Sequence, residues 1–209
     1  AEVENLARSL HRGLAGGALR GVAQHAGVRK NREHPRHRSH AFSGALVLND
    51  AWARLHEAEG YPIGVPERLR ESGIEWWLER WGTGRQLELT APALADDPHE
   101  LATLGRFERL AASPGVARSF FRLVAELDVR DILPAVRVPT LVLHRAGDRY
   151  IRVGQGRYLA ERISGARYVE LPGEDHFPFY GDMESVVSEI RSFLATLPEP
   201  HEVDRMLAT

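Results

Sequence analysis

Apolar and polar positions along this chain fall into two rhythms. Three short apolar runs have strand length: Ala45-Leu46-Val47-Leu48-Asn49, Val138-Pro139-Thr140-Leu141-Val142-Leu143-His144, and residues 167–171 ending in Tyr168-Val169-Glu170-Leu171. Helical spacing fills most of the rest. Ile74, Trp77, Leu78 and Trp81 recur at i, i+3, i+4 and i+7 within Glu67 to Trp81, and Gly82 stops that helix. Leu101, Leu104 and Phe107 stripe a second helix. Ser113-Pro114 supplies N-cap and first residue of a third, with Val116, Phe120 and Val124 expected inward. Gly156 to Ile163 predicts a short helix with Leu159 and Ile163 one turn apart and Gly165 as its C-cap. Met183 to Leu197 predicts a last amphipathic helix through Val186, Val187, Ile190, Phe193 and Leu194, packed on a sheet. Strand, helix, strand in that order reads as a βαβ unit with parallel strands and a right-handed crossover, hence an α/β fold.

Candidate chemistry sits where two of these strands end. The run through His144 enters Arg145-Ala146-Gly147-Asp148, and the run through Leu171 enters Pro172-Gly173-Glu174-Asp175-His176-Phe177-Pro178. Loops at the carboxyl ends of neighbouring parallel strands share one rim, so Asp148 and His176 are expected within hydrogen-bond reach. Taken singly, Asp148 could cap the following helix and His176 could be an ordinary loop residue. Asp50, directly after the first strand, is an alternative acid; the Gly-Asp turn favours Asp148.

In this order and spacing, residues 128–194 resemble the C-terminal part of the α/β-hydrolases. Val138-Pro139-Thr140-Leu141-Val142-Leu143 is similar to their penultimate core strand, Gly147-Asp148 to the acid turn, and Asp175-His176-Phe177-Pro178 to the histidine loop. Ala45 to Gly82 resembles, more weakly, the preceding strand and the start of a lid. The resemblance implies a partial α/β-hydrolase fold: a mostly parallel sheet with a helical lid inserted over about 50–132. It also implies serine-hydrolase chemistry on a small acyl or ester-like substrate, with His176 as base and Asp148 fixing its tautomer. Lids of this kind line acyl pockets, which makes Trp76, Trp77, Trp81, Phe120 and Phe121 the pocket candidates.

The nucleophile that the resemblance demands is missing. A Gly-x-Ser-x-Gly elbow exposes the serine on a strained strand-to-helix turn, and no such string occurs in these 209 residues. Ala41-Phe42-Ser43-Gly44-Ala45 comes nearest, but it precedes a strand and no helix follows directly, so Ser43 has the wrong context and the nucleophile is unknown. With only three core strands legible, the chain reads as the back half of a hydrolase domain, incomplete or inactive. Its first strand would then present an unpaired edge at Ala45–Asn49, inviting oligomerisation.

The flanks differ from this middle. Residues 1–42 carry eight Arg or Lys and three Glu, a net +5 in a chain of net charge −2. They read as an atypical basic segment, disordered or helical over Glu2 to Val22. The tract Arg29 to His40 lacks the interleaved aromatics of a nucleic-acid reader. His34, His37 and His40 recur every third residue, but Pro35 breaks the helix that would align them as metal ligands. Pro198-Glu199-Pro200 reads as a linker, and His201 to Thr209 resembles the approach to a class III nucleotide cyclase domain. A covalently linked cyclase in a longer parent, with this module as a non-catalytic sensor, is therefore the alternative function. Gly154-Gln155-Gly156 lacks a third glycine and reads as a helix-start turn, not a phosphate loop.

Composition adds three exclusions. The chain is 43% hydrophobic and 27% charged, as expected of a globular protein. It has no cysteine, which excludes disulfides and thiol chemistry and fits a cytoplasmic setting. No apolar run approaches the roughly 20 residues of a membrane-spanning helix. No cofactor, metal or nucleic acid is expected.

Overall fold

The computed structural model describes residues 44–197. Segment 1–43, with Ser43, the predicted helix at Glu2 to Val22 and the His/Arg tract, lies outside the described residues, as does the tail 198–209 with its cyclase-like string.

The three apolar runs become β1 (Leu46–Asn49), β2 (Thr140–Arg145) and β3 (Arg167–Leu171), in spatial order β1-β2-β3. All pairing is parallel: Leu46 lies opposite Thr140, and Leu141 opposite Arg167. Every residue of β2 is buried, because side chains that alternate along the central strand meet cover on both faces. Val142 joins Leu48, Tyr61, Leu159 and Ile163 in a core on the side of α5 (Gly154–Arg162). Leu141 and Leu143 point the other way, into a core with Leu171, Val186 and Phe193 beneath α6 (Met183–Leu194). One helix on each face completes a three-layer α/β arrangement, with β1 and β3 the outer strands among the described residues.

Between β1 and β2 the chain forms the predicted helical insertion. It comprises α1 (Arg70–Arg80), a short α2 (Leu87–Thr90), α3 (Pro98–Ala111) and α4 (Pro114–Glu126), with 3-10 turns at Glu67–Leu69, Pro92–Leu94 and Arg130–Ala135. Start signals act locally as the sequence suggests. Asp97 accepts from the amides of His99 and Glu100 ahead of Pro98 at the start of α3. Ser113 accepts from the amide of Val116 ahead of Pro114 at the start of α4. The turn after α1 is clasped by Glu108, whose buried carboxylate takes the amides of Gly82 at 2.7 Å and Gly84 at 3.2 Å. Both glycines have positive φ, 82° and 77°, so the clasp depends on residues without a Cβ.

Two apolar positions differ from expectation. Val116 is half exposed, and α4 buries Ala117, Val124 and Ala125 instead. The inward stripe is set by the bulk of Phe120 and Phe121, which turns the helix so that Val116 and Leu123 face solvent. Leu194 is also half exposed at the end of α6, where the sheet no longer covers it; Val186, Val187 and Phe193 carry that contact. Among the described residues no helix is long and apolar enough to cross a membrane.

Candidate active site

The ladder between β2 and β3 continues past the last strand residues. Ala146 N–H donates to the Leu171 carbonyl and Gly147 N–H to the Gly173 carbonyl, both at 2.9 Å. The two loops can approach so closely because position 147 is glycine: a Cβ there would sit 2.8 Å from the Gly173 carbonyl oxygen. Zipping the loops together delivers Asp148 and His176 to each other. His176 Nδ1 lies 2.8 Å from Asp148 Oδ2, with Asp148 fully buried and His176 nearly so.

Asp148 is held on its other side by backbone. Its Oδ1 accepts from the amides of Tyr150 at 2.9 Å and Ile151 at 3.0 Å, which fixes the carboxylate plane. A carboxylate can only accept, so the bond to His176 requires the proton on Nδ1 and leaves the Nε2 lone pair as the free, basic end of the ring. Among the described residues Asp148 is the only side chain hydrogen-bonded to His176. The His176 amide is anchored separately, donating at 2.7 Å to the carbonyl of Thr90 in the lid.

The histidine loop is further braced by a residue to which the sequence reading gave no role. Arg145, the last residue of β2, is almost completely buried. Its guanidinium donates to the carbonyls of Tyr180 at 2.8 Å and Asp182 at 3.3 Å and lies 3.8 Å from Asp175 Oδ2. Gly173 and Gly181, both at positive φ, pack against it. The available signal was an arginine closing an otherwise apolar run, where only a partnered charge can be buried.

Behind the dyad lies a second buried cluster. His144 Nε2 is 2.7 Å from the Ile151 carbonyl, which only accepts, so this nitrogen carries the proton. The same nitrogen is 3.8 Å from Asp50 Oδ1 and 3.9 Å from Asp148 Oδ2. Asp50, Asp148 and His144 are ligand types for a divalent metal and their facing atoms lie within 4.8 Å of one another. The chemistry does not fit one: Nε2 of His144 presents a proton instead of a lone pair, Asp50 Oδ1 already takes the Arg145 amide, and Asp148 Oδ2 takes His176. Asp50 makes no hydrogen bond to His176; of the two carboxylates it is Asp148 that bonds the ring.

The aromatic candidates connect to the dyad through one ring that the sequence reading did not single out. Tyr150 meets His176 edge-on with centroids 4.9 Å apart and Trp77 at 5.0 Å; Trp77 stacks on Phe121 at 5.5 Å. Burial beside the Asp148 carboxylate pushes the Tyr150 phenol well above its ordinary range. Trp81 contacts Phe121, and its indole N–H donates to the Ala112 carbonyl at 2.9 Å. Trp76 lies beneath the Arg80 guanidinium, and Phe120 packs on Phe121. A depression of about 360 Å³ is lined by Ala146, Gly147, Asp148, Arg149, Arg152 and Val153, and by none of these five lid aromatics.

Comparison with known proteins bears on the fold. No family model matches the chain. The AB hydrolase superfamily protein YisY of Bacillus subtilis is 26% identical over 174 residues, 76% of this chain and 59% of that protein. The pimeloyl-[acyl-carrier protein] methyl ester esterase of Stenotrophomonas maltophilia is 28% identical over 156 residues, 73% of this chain and 60% of that protein. Among solved structures, the esterase of Exiguobacterium antarcticum superposes with a TM-score of 0.60 at 21% identity, covering 73% of this chain and 57% of that one. The chain has the α/β-hydrolase fold, and its homologues and structural neighbours are α/β-hydrolases. It spans about three-fifths of the length of the curated relatives it matches.

Proposed function

We propose that this chain carries the acid–base half of a serine-hydrolase-type site, directed at small acyl or ester-like molecules, with Asp148 and His176 as its working pair. The observation that carries this reading is the buried 2.8 Å contact between His176 Nδ1 and Asp148 Oδ2. It selects the tautomer whose Nε2 can take a proton from an attacking hydroxyl, and it stabilises the imidazolium that results. The names of the relatives support the ester side of the reading, since one of those reported is a methyl ester esterase. Because the 209 residues hold no Gly-x-Ser-x-Gly string, the pair has a base without its usual nucleophile, and unaided ester turnover is expected at background.

An added nucleophile tests this directly. With hydroxylamine supplied in solution, cleavage of a p-nitrophenyl ester should run faster with the unaltered protein than with His176→Ala, and Asp148→Asn should behave like His176→Ala. Equal rates for all three proteins would remove the acid–base reading. Stoichiometric, His176-dependent labelling of a serine by a fluorophosphonate probe would instead restore a complete enzyme and overturn the proposed inactivity.

A further inference from the structure

We infer that Asp50 is a positioning residue of the dyad: a second buried carboxylate which, across His144, holds Asp148 toward His176 and adds to the negative field that His176 experiences. The inference rests on the acid–base reading of Asp148 and His176 and adds a part that neither the motif spacing nor the dyad itself supplies.

The backbone gives the first observation. Asp50 is the only described non-glycine residue with positive φ, 46°, and it stands at the carboxyl end of β1. L-residues avoid this region, and such strain is retained where the surrounding structure demands the side-chain direction it gives. The direction here is inward. Asp50 is buried, with Oδ1 accepting from the Arg145 amide at 2.7 Å and Oδ2 from the Asn49 side-chain amide at 2.7 Å. Both bonds are made by donors to a carboxylate, so both favour its ionised form.

The second observation is the placement of His144. Its ring is clamped by α5: a Cβ on Gly156 would sit 2.6 Å from Nδ1. Its Nε2–H faces the Ile151 carbonyl and lies nearly equidistant from the two carboxylates. His144 therefore separates two like charges that would repel strongly in the buried interior. Asp148 Oδ2, 3.9 Å from His144 Nε2 and 2.8 Å from His176 Nδ1, is the oxygen that links the Asp50–His144 pair to the dyad, and repulsion from the Asp50 charge favours its engagement with the His176 N–H. The titratable groups around Asp50 are His144 on β2, Asp148 on the acid loop and His176 on the histidine loop. Burial raises the Asp50 carboxyl above its ordinary range, the Arg145 amide opposes this, and the Asp148 charge adds to it.

NMR on the intact chain, following the ring signals of His176 against pH, separates this role from a purely structural one. Asp50→Asn keeps the size and the acceptor oxygen but removes the charge. It should lower the pH midpoint of the His176 signals by roughly one unit, the effect of one nearby buried charge. If Asp50 only ties the ends of β1 and β2 together, the variant loses stability while the His176 midpoint stays in place, and the inference fails. Asp148→Asn is the control for the underlying reading: no change there sinks the dyad itself, whereas a change there with none in Asp50→Asn sinks this inference alone. Should Asp50→Asn not fold, the unaltered protein still decides. Ionisation of Asp50, followed at its carboxyl carbon, must produce a matching inflection in the His176 signals, and its absence overturns the role.

Discussion

Around the ends of β2 and β3, buried charge is matched group by group, whereas the lid helices α1 to α4 keep most of their charge in solvent. Arg145, Asp50, Asp148 and His176 are all buried and each meets partners through specific hydrogen bonds. In the lid, the ion pairs joining α1 to α4, Arg118 with Glu75 and Arg122 with Glu71, are exposed on both sides, and cohesion comes from Trp77, Trp81, Phe120 and Phe121. Exposed pairs contribute little and tolerate change; buried charges punish the loss of one partner. The rim should therefore be brittle and the lid surface permissive.

The largest expected effect is at Arg145. Arg145→Ala leaves the Tyr180 and Asp182 carbonyls without their donor and should cost about 3 kcal/mol in urea unfolding. It should also release the histidine loop. Arg145→Lys should recover only part of this, because a single ammonium cannot take the places of both Nη2, which serves the two carbonyls, and Nη1, which faces Asp175 Oδ2. A variant as stable as the parent would end the contrast. Leu143→Ala, in the fully buried central strand, should cost a similar amount, about 3 kcal/mol, through an unfilled cavity. Comparable losses from aromatic-to-alanine changes in the lid would show that its packing is no softer than the sheet.

A smaller effect is expected where the lid rejoins the sheet. There Asp128 pairs with Arg130 and Arg54, and the Arg130 guanidinium holds its carboxyl well below the usual carboxylate range. A depressed folded-state value means the contribution is fully present above the unfolded value of about 4 and is lost as pH falls below it. The stability difference between the parent and Asp128→Asn should be under about 1 kcal/mol at pH 6 and smaller at pH 3, where the loss has begun but is complete only below the depressed folded-state value. Divergence on acidification would reverse the sign. Smallest of all is Leu123→Ala on the exposed face of α4, expected within about 0.5 kcal/mol of the parent. A larger loss would mean that this face is covered in solution.

The strands and helices near the dyad were legible because their signals are local. Short apolar runs end in Gly-Asp and Pro-Gly turns, and Ser113-Pro114 announces a helix start within two residues. Asp148 and His176 followed from topology, since adjacent parallel strands must bring their carboxyl-end loops together. Arg145, Tyr150 and Thr90 were not legible, because their partners lie 35, 26 and 86 residues away and no periodicity encodes a guanidinium on a distant carbonyl. Val116 and Leu194 misled for the converse reason. Helical spacing says which residues share a face, but the rotation of that face is set by larger neighbours such as Phe121 and by where the covering sheet ends.

The hydrogen bond from the His176 amide to the Thr90 carbonyl makes the histidine a passenger of the lid. A lid that lifted as a rigid flap would either break this bond or drag the imidazole off its carboxylate, so opening and misalignment are one event. That single amide is thus a built-in latch indicator. Its rate of exchange with deuterated solvent reads how often the insertion lets go, with no ligand, label or turnover required.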